Sequence, residues 1–245
     1  DAFYGYMVAS TGYLRRFALH ATSDGFVLQH PQRHQAGSIM PLSDSPKLHA
    51  VFREYGAWLR VLHIKDIGQI NDAIRNGRAK ETVLISEALH ERKIAAIAGQ
   101  IAEQARTARL VLIAGPSSSG KTTFSKRLAI QLLTHGLRPF TLEMDRYFFP
   151  REFTPRDEHG ELDFEALEAL DVQLLNDNLM ELMAGRDVTL PHFNFIDGVR
   201  EIGPTVRLAE DQIIVAEGIH GLNPHLLPHV PKTAVFRIYI SALTQ

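Results

Sequence analysis

The sequence predicts an α/β fold, with a mostly parallel sheet and flanking helices, preceded by a smaller α+β module. Three observations carry this expectation. Short apolar runs at Leu110–Ala114 and at residues 140–144, 213–216 and 234–240 alternate with helical patterns through the second half, as βαβ units do. The first of these runs passes straight into the stretch GPSSSGKTTF, a small-residue loop that opens a helix. The first half instead offers a hairpin pattern followed by amphipathic helices.

Residues 13–20 (YLRRFALH) and 25–30 (GFVLQH) have strand character and are joined through Thr22, Ser23, Asp24 and Gly25; Asp-Gly in such a gap signals a hairpin. Over Pro46–Leu62 the residues Leu48, Val51, Phe52, Tyr55 and Leu59 recur at helical spacing, and a second short helix is expected over 67–74, ended by Asn76-Gly77. Residues 82–106 place Ile85, Ala88, Leu89, Ile94, Ile97, Ile101 and Ala105 mainly on one face, the mark of a long amphipathic helix. Helices are expected over 121–135, closed by Gly136, and over 164–183, closed by Gly185, while 190–200 (LPHFNFIDGVR) alternates as a hairpin turning at Asp197-Gly198. The expected organisation is an α+β module over 1–80, a linking helix over 81–108 and the α/β domain over 109–245.

Composition narrows the function classes. With 245 residues, 45% of them hydrophobic, the chain can fill a real core. A net charge of -2 gives no general attraction to nucleic acid or to anionic lipid. The sequence has no cysteine, which removes disulfides and thiolate metal sites and fits a reducing compartment. No apolar run approaches a membrane span and no signal peptide opens the chain, so the expectation is a cytoplasmic protein without membrane partners, with a homo-oligomer left open. The chain opens at Asp1 and ends at Gln245 directly after an apolar run, and is read as an excerpt. Two H-x-x-x-H spacings, His30 to His34 and His225 to His229, each enclose a proline; this spoils a helical metal face and favours loop histidines.

Gly115, Pro116, Ser117, Ser118, Ser119, Gly120, Lys121 and Thr122 satisfy G-x-x-x-x-G-K-[ST] between a buried strand and a helix. Small residues let backbone N–H groups converge on a phosphate, and the helix N-terminus adds unsatisfied donors and the positive end of its dipole. Lys121 is expected to reach the β- and γ-phosphates of ATP or GTP, and the Thr122 hydroxyl to ligate Mg²⁺. Thr123 borders the same nucleotide site, with helix packing or capping as its simpler role. Asp145 and Glu217 end two apolar runs, where open α/β sheets place their chemistry; each can help hold Mg²⁺ or accept a proton, and each can equally be a turn or cap acid. Asp157 to Gly160 (DEHG) follows no strand and no N-K-x-D motif occurs, which argues against a GTPase. No L-S-G-G-Q-like signature occurs either, which argues against a transporter ATPase. Phe193 and Phe195 can wall a pocket for a flat ring or be plain core.

Taken together, GPSSSGKTTF, MDRYF, TPRDEHGELDFEALEALD, LPHFNF, AEGIHGLN and ISALTQ resemble the uridine kinase and phosphoribulokinase family of P-loop kinases, in particular uridine kinase-like nucleoside kinases with an N-terminal extension. The resemblance covers about 109–245. It implies transfer of the γ-phosphoryl of ATP or GTP to the 5′-hydroxyl of a nucleoside, with Lys121, Asp145 and Glu217 as catalytic residues. Asp145 would be the base and share the Mg²⁺ site with Thr122 and Glu217. Tyr147, Asp163, Phe193, Phe195 and Arg200 would line the nucleoside pocket, Asp163 on the ribose hydroxyls or as a helix N-cap. Uridine-cytidine kinases carry Tyr, then Asp-Phe, then His in the hairpin, where this chain has Phe193-Asn194-Phe195 and Gly198; two groups that would read a pyrimidine edge are thus replaced. The family's arginine-rich lid is expected beyond Gln245. The first half resembles the linker region of those kinases, itself similar to the second additional domain of threonyl-tRNA synthetase. Rival expectations are a kinase for another small hydroxyl compound such as a sugar phosphate, and a nucleotide-responsive regulatory or RNA-binding protein without turnover.

Overall fold

The computed structural model describes residues 9–13, 15–22, 25–32, 35, 37–42 and 46–241. The chain divides into two compact units, Asp1–Gly56 and Ala57–Gln245. The division falls inside a helix, so the segment between residues 57 and 80 groups with the α/β half and not with the smaller module.

In the first unit β1 (Ala18–Thr22) and β2 (Gly25–Gln29) form an antiparallel hairpin with Thr22 opposite Gly25 and Ala18 opposite Gln29. The strand expected over 13–20 therefore sits later. β2 offers five partner positions, and closure at Thr22 and Gly25 assigns them to 18–22, while Thr11–Tyr13 forms a 3-10 turn. The turn residues Ser23 and Asp24 lie outside the described residues, as do His34 and the last four residues of ISALTQ. Helix α1 (Pro46–Leu62) crosses the division.

The second unit opens with α2 (Ile67–Arg75), whose N-cap Asp66 accepts the Gln69 amide at 2.8 Å, and α3 (Ala79–Gln104). Then follow β3 (Leu110–Ala114), α4 (Lys121–Thr134), β4 (Arg138–Glu143), α5 (Val172–Met183), β5 (Val188–Asn194), β6 (Val199–Val206), β7 (Gln212–Gly218) and β8 (Val235–Tyr239). Four strands form a parallel sheet in the order β4-β7-β3-β8, and β5 pairs antiparallel with β6 as a separate ribbon.

Because side chains alternate across a strand, the sheet feeds two cores. On one face Leu110, Leu112, Ile214 and Ala216 pack with Leu175, Leu179 and Leu182 of α5. On the other, Val111, Ile113, Ile213 and Val215 meet Ile94, Ala98 and Ile101 of α3 and Phe124, Leu128 and Leu132 of α4. Both faces being covered, β3 is buried at every residue, which is why it reads as an unbroken apolar run. Polar contacts also tie α4 to α3: Arg127 Nη2 donates to Glu87 Oε2 at 2.6 Å and Gln131 Nε2 to Glu91 Oε1 at 2.6 Å. These side chains are solvated, so the apolar seam carries most of the stability. A Leu128→Ala variant is expected to lose about 2–5 kcal/mol, read as a shift in urea midpoint, since Leu128 is fully buried in that seam.

The helix expected over 164–183 starts only at Val172. Asp163 Oδ1 accepts the amides of Glu165 at 2.9 Å and Ala166 at 3.1 Å, which holds a local turn in place of a first helical turn. Leu170 then bridges to Phe148, and Asp171 Oδ1 accepts the Leu174 amide at 3.0 Å as the true cap. The hairpin expected over 190–200 is longer, reaching back to Val188 and on to Val206. Among the described residues no helix is long and apolar enough to cross a membrane.

Candidate functional site

The register of the parallel sheet assembles the site at its carboxyl edge. Ala114 pairs with Gly218, and Glu143 with Glu217. The loop after β3, the turn after β4 and the end of β7 therefore emerge side by side, where open α/β sheets bind ligands.

The loop after β3 is built for close approach. Ser118 and Gly120 take left-handed backbone angles, φ 59° and 86°, so the chain folds back and turns its amides toward a common point before α4 begins. No side chain caps α4, which leaves its first N–H groups to serve an anion. A Cβ at Gly115 would stand 2.2 Å from the Ile240 carbonyl oxygen and 2.7 Å from Ser119 Oγ, so only glycine fits there. Gly115→Ala is expected to displace the loop, with a destabilisation of about 1–3 kcal/mol in thermal denaturation and a matching loss of nucleotide affinity in calorimetry. Lys121 Nζ donates to the Pro116 carbonyl at 2.8 Å, holding its ammonium over the loop.

Thr122 Oγ1 donates to Glu217 Oε1 at 2.6 Å. This bond joins the helix start to the strand-end acid across the sheet edge. Asp145 lies in the 3-10 turn Met144–Tyr147 that follows β4. Its carboxyl pKa is raised from the usual aspartate value, first by burial among protein atoms and next by the Glu217 charge, with Lys121 and His220 pulling the other way. Asp145, Glu217 and Lys121 thus share one electrostatic neighbourhood.

The groups present fit a magnesium nucleotide. A hydroxyl and two carboxylates are hard oxygen donors. Mg²⁺ is commonly held by one or two carboxylates together with substrate phosphates and water. Among the described residues no cluster of three or more His, Asp or Glu forms an all-protein cage. Ser119 Oγ is buried with no partner inside the loop, a spare donor where a phosphate oxygen would lie. Thr123 is exposed on the first turn of α4, and Ser117 and Pro116 are exposed on the loop.

The residues expected to line the nucleoside pocket separate into two groups. Phe193 and Phe195 join Phe148 and Phe164 in an edge-to-face cluster, with centroids 5.0 Å apart for Phe193 and Phe195 and 5.7 Å for Phe148 and Phe193. Phe193 is buried core, whereas Phe195 is 58% exposed and presents a ring at the surface. Asp163 sits beside Phe164 with Oδ1 committed to its own turn. Tyr147 is fully buried; its hydroxyl accepts from Asn178 Nδ2 at 3.2 Å, and burial raises its pKa. Arg200 Nη1 donates to Asp171 Oδ2 at 2.7 Å and its guanidinium lies 5.7 Å from the Phe149 ring centroid. Tyr147 and Arg200 therefore brace the turn and the α5 cap behind the aromatic cluster. His225 and His229 are exposed.

One residue at this edge was not singled out by the sequence. His220 lies in the turn after β7, in the electrostatic reach of Asp145, Asp163 and Glu168. Burial lowers its pKa, and a hydrogen bond to the Ala166 backbone partly offsets this. Only its place within AEGIHGLN, one turn beyond Glu217, could have drawn notice.

Comparison with known proteins agrees with the geometry. The chain is 28% identical over 133 residues to a uridine kinase of Mycoplasma pneumoniae, covering 54% of this chain and 60% of that protein. It is 33% identical over 134 residues to a uridine kinase of Schizosaccharomyces pombe, covering 54% of this chain and 29% of that one. Thus the chain spans only part of the length of these curated relatives. A solved structure described as a possible uridine kinase from Bacillus stearothermophilus aligns with a TM-score of 0.46 at 23% identity, over 60% of this chain and 79% of that one. The sequence profile of the Phosphoribulokinase / Uridine kinase family matches residues 110–243, more than half of the chain and the whole of the edge just described. The chain belongs to the phosphoribulokinase and uridine kinase family.

Proposed function

We propose that the protein is a phosphotransferase that moves the γ-phosphoryl of ATP or GTP to a hydroxyl of a small acceptor, and that the acceptor is a nucleoside of the uridine or cytidine type, phosphorylated at its 5′-hydroxyl. The observation that carries this reading is the 2.6 Å bond from Thr122 to Glu217, which sets the loop and a strand-end carboxylate within one ligand's reach, with Asp145 alongside. The loop amides and Lys121 would hold the β- and γ-phosphates and neutralise charge as it develops. Thr122, Asp145 and Glu217 would hold Mg²⁺, which when bound offsets phosphate charge. Asp145 would orient the acceptor hydroxyl and take its proton. The exposed ring of Phe195, beside Phe193 and Phe148, supplies a surface on which a flat base can lie.

A second reading, a kinase for another hydroxyl compound such as a sugar phosphate, draws on the same hairpin. Asn194 Nδ2 donates to Asp197 Oδ2 at 2.8 Å and Glu201 Oε1 at 3.1 Å, and its Oδ1 accepts the amides of Ile196 and Asp197. Its polar atoms are spent on the hairpin tip and offer a base edge little. A panel of nucleosides and sugar phosphates, tested with the full-length protein and with ATP and GTP as donors, decides the matter. Transfer to uridine or cytidine supports the first reading, and transfer to a sugar phosphate alone replaces it with the second. Nucleotide binding with no transfer to any acceptor overturns both in favour of a regulatory or RNA-binding role.

A further inference from the structure

His220 is a half-buried residue at this edge that the chemistry above does not use. The turn that carries it is fixed: its carbonyl accepts the Asn223 amide at 2.7 Å, and a Cβ on the next residue, Gly221, would stand 3.1 Å from Ala114 Cβ. The ring therefore has little freedom to relocate. Its Nε2 is buried and has no hydrogen-bond partner. The Ala166 backbone favours the charged ring, as a carbonyl facing a ring nitrogen does. With Nε2 unpartnered, the nitrogen that can serve that carbonyl is Nδ1. A neutral imidazole that donates from Nδ1 carries a bare lone pair on Nε2.

What could donate to that lone pair is restricted. The titratable groups that the ring feels are Glu168, Asp145 and Asp163, and ionised carboxylates have no proton to give. A buried, unpartnered acceptor whose charged neighbours are carboxylates calls for a donor from outside the chain. Glu168 and Asp145 are solvent-exposed and Asp163 is half-buried, so side-chain movement can open the ring to a ligand. The donor must also sit close to Asp145, the group assigned to the reacting hydroxyl.

We infer that His220 is a specificity-determining residue of the acceptor site, its Nε2 accepting a hydrogen bond from a second hydroxyl of the substrate, near the one that is phosphorylated. The inference rests on the phosphotransferase reading and deepens it: the acceptor is a polyol, and its neighbouring hydroxyl is read between His220 and Asp163. Hydrogen-bond readout of this kind discriminates strongly, because the analogue lacking the hydroxyl leaves the buried acceptor unmade.

The test uses the full-length protein as wild type, His220→Leu and His220→Gln. Each is assayed with the best acceptor from the panel above and with its deoxy analogues, for a nucleoside the 2′-deoxy and 3′-deoxy forms. Wild type is expected to prefer the complete polyol by at least about 10-fold in kcat/KM. His220→Leu is expected to raise KM for the polyol at least about 10-fold, to erase most of that preference, and to leave ATP affinity unchanged. His220→Gln, whose side-chain carbonyl can accept at the same place, recovers part of the preference, and it carries the test if the leucine variant fails to fold. A His220→Leu enzyme that slows equally on polyol and deoxy acceptors overturns the inference and leaves the function standing. If wild type uses sugar phosphates and no nucleoside, the nucleoside reading falls, and the His220 ratios on that acceptor still decide the inference. No transfer by wild type to any acceptor overturns both.

Discussion

Lys121→Ala is expected to lose phosphoryl transfer by at least about 10²–10³-fold and to weaken nucleotide binding with it. The two losses come together because, in the proposed function, the same ammonium would serve the ground state and the transition state. Its position follows from the fold. Lys121 is the first residue of α4, immediately after the left-handed Gly120, and its Nζ reaches back 2.8 Å to the Pro116 carbonyl. An ammonium placed there faces the same point as the loop amides, so it would help them neutralise negative charge as the phosphoryl group moves. Lys121→Arg keeps the charge but brings a planar fork where a compact point charge fits, and it is expected to restore nucleotide affinity more than turnover. Calorimetry with ATP and steady-state rates on the same preparations check both statements. A Lys121→Ala enzyme with unchanged nucleotide affinity would remove the loop from the nucleotide site.

The parts of this site that are local in sequence were legible, and the parts that depend on register were not. The loop could be read because strand, small residues, lysine and helix follow one another without a gap. The sheet strands could be read because burial on both faces leaves continuous apolar runs; the antiparallel β6 has an exposed face, and its extension to Val206 was missed for that reason. That Asp145 and Glu217 close apolar runs was visible; β4 stops at Glu143, and Asp145 falls in the 3-10 turn after it. That Glu143 is the parallel partner of Glu217, which brings the two acids together, is a property of β4 lying next to β7. The start of α5 was misjudged because the Asp163 carboxylate captures two amides that a helix would have used, a contest that apolar periodicity does not record. Tyr147 and Arg200 were assigned to the pocket by resemblance, and the folded chain turns them to Asn178 and Asp171. His220 acquires meaning only when the fold brings it within the electrostatic reach of Asp145 and Asp163.

Asp145→Asn is expected to separate function from stability. Transfer should fall by about 10²–10⁴-fold, the range for loss of a positioned acid or base, while nucleotide affinity, which rests mainly on the loop, stays close to that of wild type. Thermal stability should move the other way. The Asp145 pKa is raised in the folded protein, chiefly by burial and then by Glu217, so the native state binds this proton more tightly than the unfolded chain does. The stability linked to that proton is fully present below the unfolded value of about 3.9 and is lost as pH rises through the raised folded value. At neutral pH the ionised carboxylate is therefore a burden that asparagine removes. The gain is expected to be small, on the order of 1–2 °C in Tm, because Asp145 keeps solvent exposure that screens it. It should shrink as the pH falls through the raised folded value and vanish below the unfolded value of about 3.9, where the carboxyl is protonated in both states. The same shift shapes catalysis, since a base must be ionised to act: kcat/KM of wild type should rise with pH through the raised value. Glu217→Gln should move that limb toward lower pH by part of the shift, Glu217 being the second of its two main causes. A Tm gain that persists unchanged into acid would show that the asparagine acts through packing, and an acid limb indifferent to Glu217 would separate the two carboxylates that the sheet edge brings together.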